Sequence, residues 1–319
     1  MIANTQQHKH VDGVLNIAKP TGATSMDVVR TIKKLTKQKK LGHGGTLDPL
    51  ATGVLPIFLG KATRLMEYLV DSTKIYHTQI RLGMTTDTYD IDGTVTATRD
   101  FSSVTQEMVE KTLELFKGTS EQVPPMYSAL KHEGKRLYKL ARDGHEIERP
   151  SRQVQIDSIV LTAWNPPLLD IQVQCGKGMY VRSLSHDIGE LLHCGATVVS
   201  LSRLQSGPFH LNKSISLEAI HEHINAGGSW TDYVSPADLL VQHLPQTAIN
   251  EGRENLILQG RPVSLEHEDL DTEQLLRIYG PSGNFLALAK YDQALRLWQP
   301  TKVLDLTAEV AANPEHHRT

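Results

Sequence analysis

A single carboxylate sits in the stretch GHGGTLDPLATG, residues 42–53, among four glycines, a histidine and a proline. That acid, Asp48, is the first candidate for chemistry, because glycines remove side chains that would keep a bulky, flat substrate away from the backbone. The same residues allow plainer readings. Asp followed by Pro makes a good helix N-cap and first helical position, so DPLATGVL could open a helical turn. A phosphate cradle is a third reading, but the P-loop template fails. Gly60-Lys61 is followed by Ala62 rather than Ser or Thr, and the glycine required five positions before Gly60 is Leu55. His43 shares the loop; taken alone it reads more simply as a hydrogen-bonding loop residue than as a catalyst.

Arg182 is the second candidate. It lies where the turn CGKGMYVR runs into a helix, and a cation there opposes the helix macrodipole by ~0.3–1 kcal/mol. Such a placement calls for an anion nearby, either a carboxylate or a phosphate. A bidentate Arg–carboxylate pair would hold an aspartate ionised inside a dry pocket, while a surface salt bridge explains the arginine equally well. Tyr180 is expected on the same strand face as Arg182, and Tyr76 begins another strand face. Aromatic rings in a groove with basic flanks suit stacking on an extruded base, although each tyrosine alone fits a core position.

The elements that must position these residues follow from periodicity. DGVLNIAKPTG reads as a strand ending in a Pro-Thr-Gly turn. Ser25 is the expected N-cap of a helix with Val28, Val29, Ile32 and Leu35 on one face. KIYHTQIRLG alternates, placing Tyr76, Thr78, Ile80 and Leu82 on one side of a half-buried strand. TQEMVEKTLELFKG predicts a helix closed by Gly118, and the prolines of EQVPPMYSAL predict an extended connector. The segment 168–192 predicts a strand, a turn, and a helix with Leu184, Ile188, Leu191 and Leu192 inward. Beyond Pro245, a short helix over 247–259 and two strands joined by Gly-Pro-Ser-Gly suggest a small β-rich appendage.

Composition narrows the class. The 319 residues, 39% hydrophobic and 22% charged, suit a globular chain of one large domain or two. No apolar run approaches the ~18 residues of a membrane span, and the N-terminus lacks the apolar core of a signal peptide, so a cytoplasmic protein is expected. Cys175 and Cys194 are far apart and read as reduced core thiols; no metal-ligand spacing occurs. The net charge of −3 argues against a general polyanion-coating protein. Local patches argue for contact with one polyanion surface: RTIKKLTKQKK (30–40) carries five lysines and an arginine with no acid, and KHEGKRLYKLARDG (131–144) is basic on balance.

Four stretches together resemble the bacterial tRNA pseudouridine-55 synthases, the TruB family. They are GVLNIAKPTGATSMDVV, GHGGTLDPLATGVLPIFLGKATRL, KIYHTQIRLGMTTDTYDIDG with QVPPMYSALKHEGKRLYKLARDG, and CGKGMYVRSLSHDIGELLHCGATVVSLSRLQSGPF, collinear from Gly13 to Phe209. The resemblance implies an α+β fold: a mixed, largely antiparallel sheet with flanking helices over 1–244, a thumb-like RNA-contacting insertion at 131–152, a PUA-like β-rich domain at 245–310, and a flexible tail at 311–319. It implies isomerisation of a T-loop uridine to pseudouridine by base flipping. By resemblance Asp48 is the essential aspartate, Arg182 its partner, and Tyr76 the ring that packs on the base. His43, Tyr180 and Leu201 match positions shaping the uridine pocket, and Lys19 and Pro20 match a motif supporting the loop beneath it. No cofactor or metal is expected. The partner implied is the tRNA T-arm, met by a monomer without guide RNA, protein partner or membrane. A non-catalytic RNA binder remains the rival from another class, and a nucleotide-dependent transferase or kinase rests on glycine content alone.

Overall fold

The computed structural model describes residues 10–128, 130–145, 147–265 and 273–306. The tail at 311–319 and most of the acidic stretch 265–273 lie outside the described residues.

The chain begins with β1 (Gly13–Lys19), a tight turn, and α1 (Ser25–Thr36). The cap of α1 is Thr24, not Ser25: the Thr24 side chain accepts from the Asp27 amide and Asp27 answers on the Thr24 amide, a capping box. β2 (Leu41–His43), the Asp48 loop and β3 (Thr52–Leu59) follow, and a 3-10 turn at Gly60–Leu65 runs into α2 (Met66–Val70). The alternating segment forms β4 (Lys74–Leu82), with Thr78, Ile80 and Leu82 buried and Tyr76 half-buried on the same side. A small ribbon of β5 (Met84–Thr86) and β6 (Val95–Thr98) leads to α3 (Gln106–Glu114). Gly118, expected to stop that helix, instead opens β7 (Gly118–Gln122) at φ 91°, a value that suits glycine. An arm of β8 (Lys131–His132), β9 (Lys135–Arg136) and α4 (Leu137–Arg142) precedes the long hairpin β10 (Arg152–Asn165) and β11 (Leu168–Cys175). Then come α5 (Val181–Leu191), β12 (Ala196–Ser206), β13 (Phe209–His210), α6 (Leu217–Asn225) and β14 (Val234–Ser235).

One sheet gathers most of these strands in the order β14-β1-β3-β12-β4-β11-β10-β7, with β2 and β13 at its margins. Every pairing is antiparallel except β3 with β12, a largely antiparallel mixed sheet. In β1 and β3 both faces are apolar. Leu15, Leu55 and Ile57 join the core beneath α1, α3 and α5, whereas Val14, Val54 and Phe58 join a second core. That second core is shared with Phe285, Leu288, Leu304 and Leu306 of a separate four-stranded sheet, β15 (Gln246–Ala248), β16 (Leu276–Tyr279), β17 (Phe285–Asp292) and β18 (Leu297–Leu306). Each large side chain buried there is worth about 1.5–3 kcal/mol, enough for a few to hold the small sheet against the large one. The helix expected at 247–259 is shorter, α7 (Glu251–Leu258) capped by Asn250, because 246–248 pair as a strand. Leu191 of α5 points outward, 51% exposed, while Leu184, Ile188 and Leu192 are buried. Both cysteines are free and buried.

Candidate active site

The Asp48 loop leaves β2 at His43 and returns at Thr52 without forming a helix. The Ala51 amide donates to the Asp48 carbonyl at 3.1 Å, so Asp48 opens a tight turn rather than capping a helical one. Its backbone is gripped on both sides. Upstream, the Ser25 hydroxyl donates to the Leu47 carbonyl (3.1 Å) and accepts from the Leu47 amide (2.9 Å). This is why Ser25 is buried inside α1's first turn instead of capping it. Downstream, the Pro49 carbonyl accepts from the Gly22 amide at 2.8 Å and from Lys19 Nζ at 3.3 Å, and the Thr21 hydroxyl donates to the Leu50 carbonyl at 3.2 Å. Lys19 Nζ also donates to the Pro20 carbonyl at 2.8 Å. The β1–α1 turn is therefore a cradle for the residues flanking the acid.

Arg182, 4% exposed, faces Asp48 from the second position of α5. Its Nε lies 2.9 Å from Asp48 Oδ2, but off the line of the N–H, so the contact is an ion pair without an aligned hydrogen bond. The expected bidentate fork is not formed. The terminal nitrogens are engaged elsewhere, Nη1 donating to the Thr88 carbonyl (3.0 Å) and Nη2 to the Tyr127 carbonyl (2.8 Å). A second acid, Asp90, stands 3.6 Å from Nη1. Burial raises its carboxyl above the ordinary carboxylate range, while the Thr88 hydroxyl and then Arg182 pull it back and Asp48 and Asp92 push it further up. Exposure separates the two acids: the Asp48 side chain is 33% exposed and that of Asp90 only 10%.

β4 and β12 supply the wall. Tyr76 stands opposite Arg203 and Thr78 opposite Leu201, so all four share one side of the sheet. Burial raises the Tyr76 hydroxyl above its ordinary value, with Arg203 opposing. Tyr180 sits at the head of α5, not on a strand, so it shares no strand face with Arg182. Gln122 fixes it by accepting from its amide (2.8 Å) and donating to its carbonyl (3.1 Å), and the Arg152 guanidinium covers its ring at 4.6 Å. Burial holds the His43 imidazole below its ordinary value, the Gly45 backbone opposing and Arg203 adding to the effect. Burial likewise brings the Lys19 ammonium down to about 8, Asp48 opposing. Among the described residues, no cluster of three or more His, Cys, Asp or Glu side chains could hold a metal ion.

Comparison with known proteins gives this geometry a family. A model described as "TruB family pseudouridylate synthase (N terminal domain)" matches residues 33–181, and one described as "tRNA pseudouridylate synthase B C-terminal domain" matches 182–242. A protein of Dehalococcoides mccartyi named tRNA pseudouridine synthase B is 41% identical over 293 residues, 92% of this chain and 96% of that one. This chain belongs to the TruB family. A second relative of the same name, from Clostridium acetobutylicum, is 41% identical over 89% of this chain and 96% of its own length. The membership makes the chain an RNA uridine-to-pseudouridine isomerase. Among solved structures, an H/ACA ribonucleoprotein bound to a substrate RNA containing 2'-deoxyuridine aligns with a TM-score of 0.69 at 25% identity, covering 94% of this chain and 86% of that chain. A Cbf5–Nop10–Gar1 complex aligns at 0.68 and 27%, covering 92% and 84%.

The family's second segment runs through α5 and β12, inside the large sheet, and the four-stranded sheet at 246–306 lies beyond it. Of the residues singled out from the sequence, Asp48 and Arg182 meet directly, Lys19 and Pro20 lie in the cradle, and Tyr76 and Leu201 line one side of the sheet. His43 and Tyr180 sit where β2 and α5 join the loop and turn. Sequence reasoning passed over Ser25's grip on Leu47, Asp90 and Arg203. For Asp90 a signal was present in TDTYDIDG, which places three acids in one irregular stretch. Nothing in the local sequence marks Arg203 as buried.

Proposed function

We propose that this chain isomerises a T-loop uridine of tRNA, position 55, acting in the cytoplasm as a monomer without guide RNA or protein partner. The observation that carries the reading is the contact of buried Arg182 with Asp48, the more exposed of the two acids beside it and so the one open to a flipped nucleoside. The choice of tRNA is supported by the names of relatives about 41% identical, and position 55 by the resemblance of the four motifs.

In the reaction the uracil N1–C1′ bond breaks, the base turns, a C5–C1′ bond forms, the C5 proton leaves and N1 ends protonated. Oxidation state is unchanged. A stacked T-loop uridine must first leave its stack, at a cost of a few kcal/mol. The exposed acid then meets the nucleoside, and the Tyr76 ring packs on the base. Residues 1–244 form the catalytic domain under this proposal, with 131–152 contacting RNA and 245–310 a PUA-like RNA-binding domain. Two features support RNA contact outside the pocket: the exposed basic end of α1, with Lys33, Lys34, Lys37, Lys39 and Lys40, and a groove of about 570 Å³ at the seam of the two sheets, where Lys40, Lys61 and Arg64 outnumber the one acid, Asp305, which pairs with Lys61. Cations along such a path bind the phosphate backbone and make affinity fall with salt.

The test is tritium release from tRNA carrying 5-tritiated uridine, comparing the chain with Asp48→Asn. Release by the unaltered chain alone, mapped to position 55, supports the proposal. Release by neither, with tRNA binding intact, overturns it in favour of an RNA-binding role.

A further inference from the structure

Arg203 is the largest of the fully buried side chains, 1% exposed, and among the described residues no carboxylate forms an ion pair with it. Burying a cation without a counter-charge costs several kcal/mol unless its hydrogens are well satisfied, so a guanidinium in such a place needs a reason. Its hydrogen-bond partners supply one. Nε donates to the Val54 carbonyl at 2.8 Å and Nη2 to the Gly45 carbonyl at 3.2 Å, the two ends of the segment that contains Asp48.

The backbone around it is built for this reach. Arg203 stands between β3 and β4, opposite Gly53 on one side and Tyr76 on the other. Gly53 has φ 102°, and a Cβ there would lie 2.3 Å from the Arg203 carbonyl oxygen, so only glycine lets the returning strand pass so close. Gly45, at the other approach, takes φ 124°, a value that favours glycine, although a Cβ there would make only an ordinary 3.5 Å contact with Arg203 Nη1. Tyr76 is the cross-strand neighbour of Arg203 on the same side of the sheet, and the guanidinium favours its phenolate, against the burial that disfavours it. Arg203 also adds to the positive field that lowers His43 and Lys19.

We infer that Arg203 is a positioning residue for the reaction, fixing the Tyr76 phenol to the Gly45 and Val54 carbonyls so that the acid loop and the phenol meet one nucleoside in a set geometry. The inference rests on the proposed role of Tyr76 at the base. Its planar fork spans the Val54 and Gly45 carbonyls while standing directly across from Tyr76 on the same side of the sheet, which an ammonium on a flexible stem does not do.

The experiment uses the full chain with Arg203→Gln and Arg203→Lys, each checked by thermal unfolding. Single-turnover and steady-state kinetics on tRNA are combined with ¹³C NMR of ring-labelled tyrosine, the Tyr76 signal being identified by its loss in Tyr76→Phe. For Arg203→Gln we expect kcat to fall about 100-fold with KM within threefold, and the Tyr76 midpoint to move up by a unit or more. Arg203→Lys should recover about tenfold of that kcat, leaving it about tenfold below the unaltered chain, and bring the midpoint only part of the way back. An unchanged Tyr76 midpoint in Arg203→Gln, or a loss carried by KM alone, overturns the inference. If Arg203→Gln does not fold, Arg203→Lys decides: a tenfold lower kcat with a displaced Tyr76 midpoint supports it, and an unaltered value of either overturns it. Should the unaltered chain release no tritium, the proposed function fails on that result, while the Tyr76 titration still decides the Arg203 contact.

Discussion

The Asp48 loop, which has no regular structure, and the arm at 130–145, a two-stranded ribbon and a short helix, are both proposed to face RNA, yet they are held differently. Around Asp48, Ser25, Lys19, Thr21, Gly22 and Arg203 reach in from β1, α1 and β12 to take backbone atoms of the loop. In the arm the backbone bonds are local. β8 pairs with β9, Asp143, Gly144 and His145 bond back to α4, and the Leu137 and Tyr138 amides return to Leu130 and Ser128 at its base. Lys135 and Lys139 project into solvent. The difference separates two tasks. An acid that must meet a reacting atom needs a backbone fixed from several directions, since small misplacements are costly in rate. A surface that holds phosphates needs charge and reach, and is served by a self-contained element anchored at one end.

Breaking the fixed side should give the larger effects. Asp48→Asn is expected to lower turnover by at least three orders of magnitude with tRNA affinity within about threefold, read by tritium release and filter binding; near-normal turnover would remove Asp48 from the chemistry. Arg182→Lys is expected to cost about 100-fold in kcat, because one ammonium cannot hold Asp48 and the Thr88 and Tyr127 carbonyls together. Kinetics equal to the unaltered chain would show that the ion pair does not matter.

Charge reversal on the arm sharpens the contrast from the other side. Lys135→Glu with Lys139→Glu should weaken tRNA binding about tenfold and flatten the salt dependence of binding by roughly one to two in log–log slope, with kcat retained. A fall in kcat at saturating tRNA would mean the arm does more than bind. Ser25→Ala removes both bonds to Leu47 and should destabilise the fold by about 1–3 kcal/mol and lower kcat by roughly tenfold. A stability loss with kcat untouched would show that the cradle serves folding only.

The smallest effect concerns the helix that carries Arg182. Burial, with Glu190 adding, raises the Asp187 carboxyl to about 6. A raised folded value means that its contribution is full below the ordinary 3.8 and lost as pH rises through about 6. Asp187→Asn should therefore raise Tm by about 1–3 °C at pH 8, the gain shrinking to nothing near pH 4. Equal gains at both values would mean Asp187 does not titrate in this range.

Much of the frame was legible because it depends on local periodicity. The alternation of β4, the amphipathic face of α1 and the hairpin at 276–292 needed only side-chain pattern and turn chemistry. The misreadings share a cause. Ser25 and Thr24 are both competent caps, and only the Leu47 backbone, 22 residues away, assigns Ser25 to another task. Asp-Pro is a fair helix start, but the carbonyls of Pro49 and Leu50 are taken by the β1–α1 turn, so no helix propagates. Leu191 fits the apolar stripe of α5 by spacing, yet as the last residue of that helix it is 51% exposed.

By itself the sequence determined which residues are able to do chemistry, a lone acid in a glycine-rich loop and an arginine at a helix start, and which segments would be strand or helix. Tertiary structure decided what those residues touch. Burial of Arg203 between two strands, the spread of Arg182 over an acid and two carbonyls, and the greater exposure of Asp48 relative to Asp90 all depend on segments far apart in the chain. Hydrogen bonds and desolvation act over a few ångströms in space, and no spacing along the chain records which distant carbonyl will occupy that range.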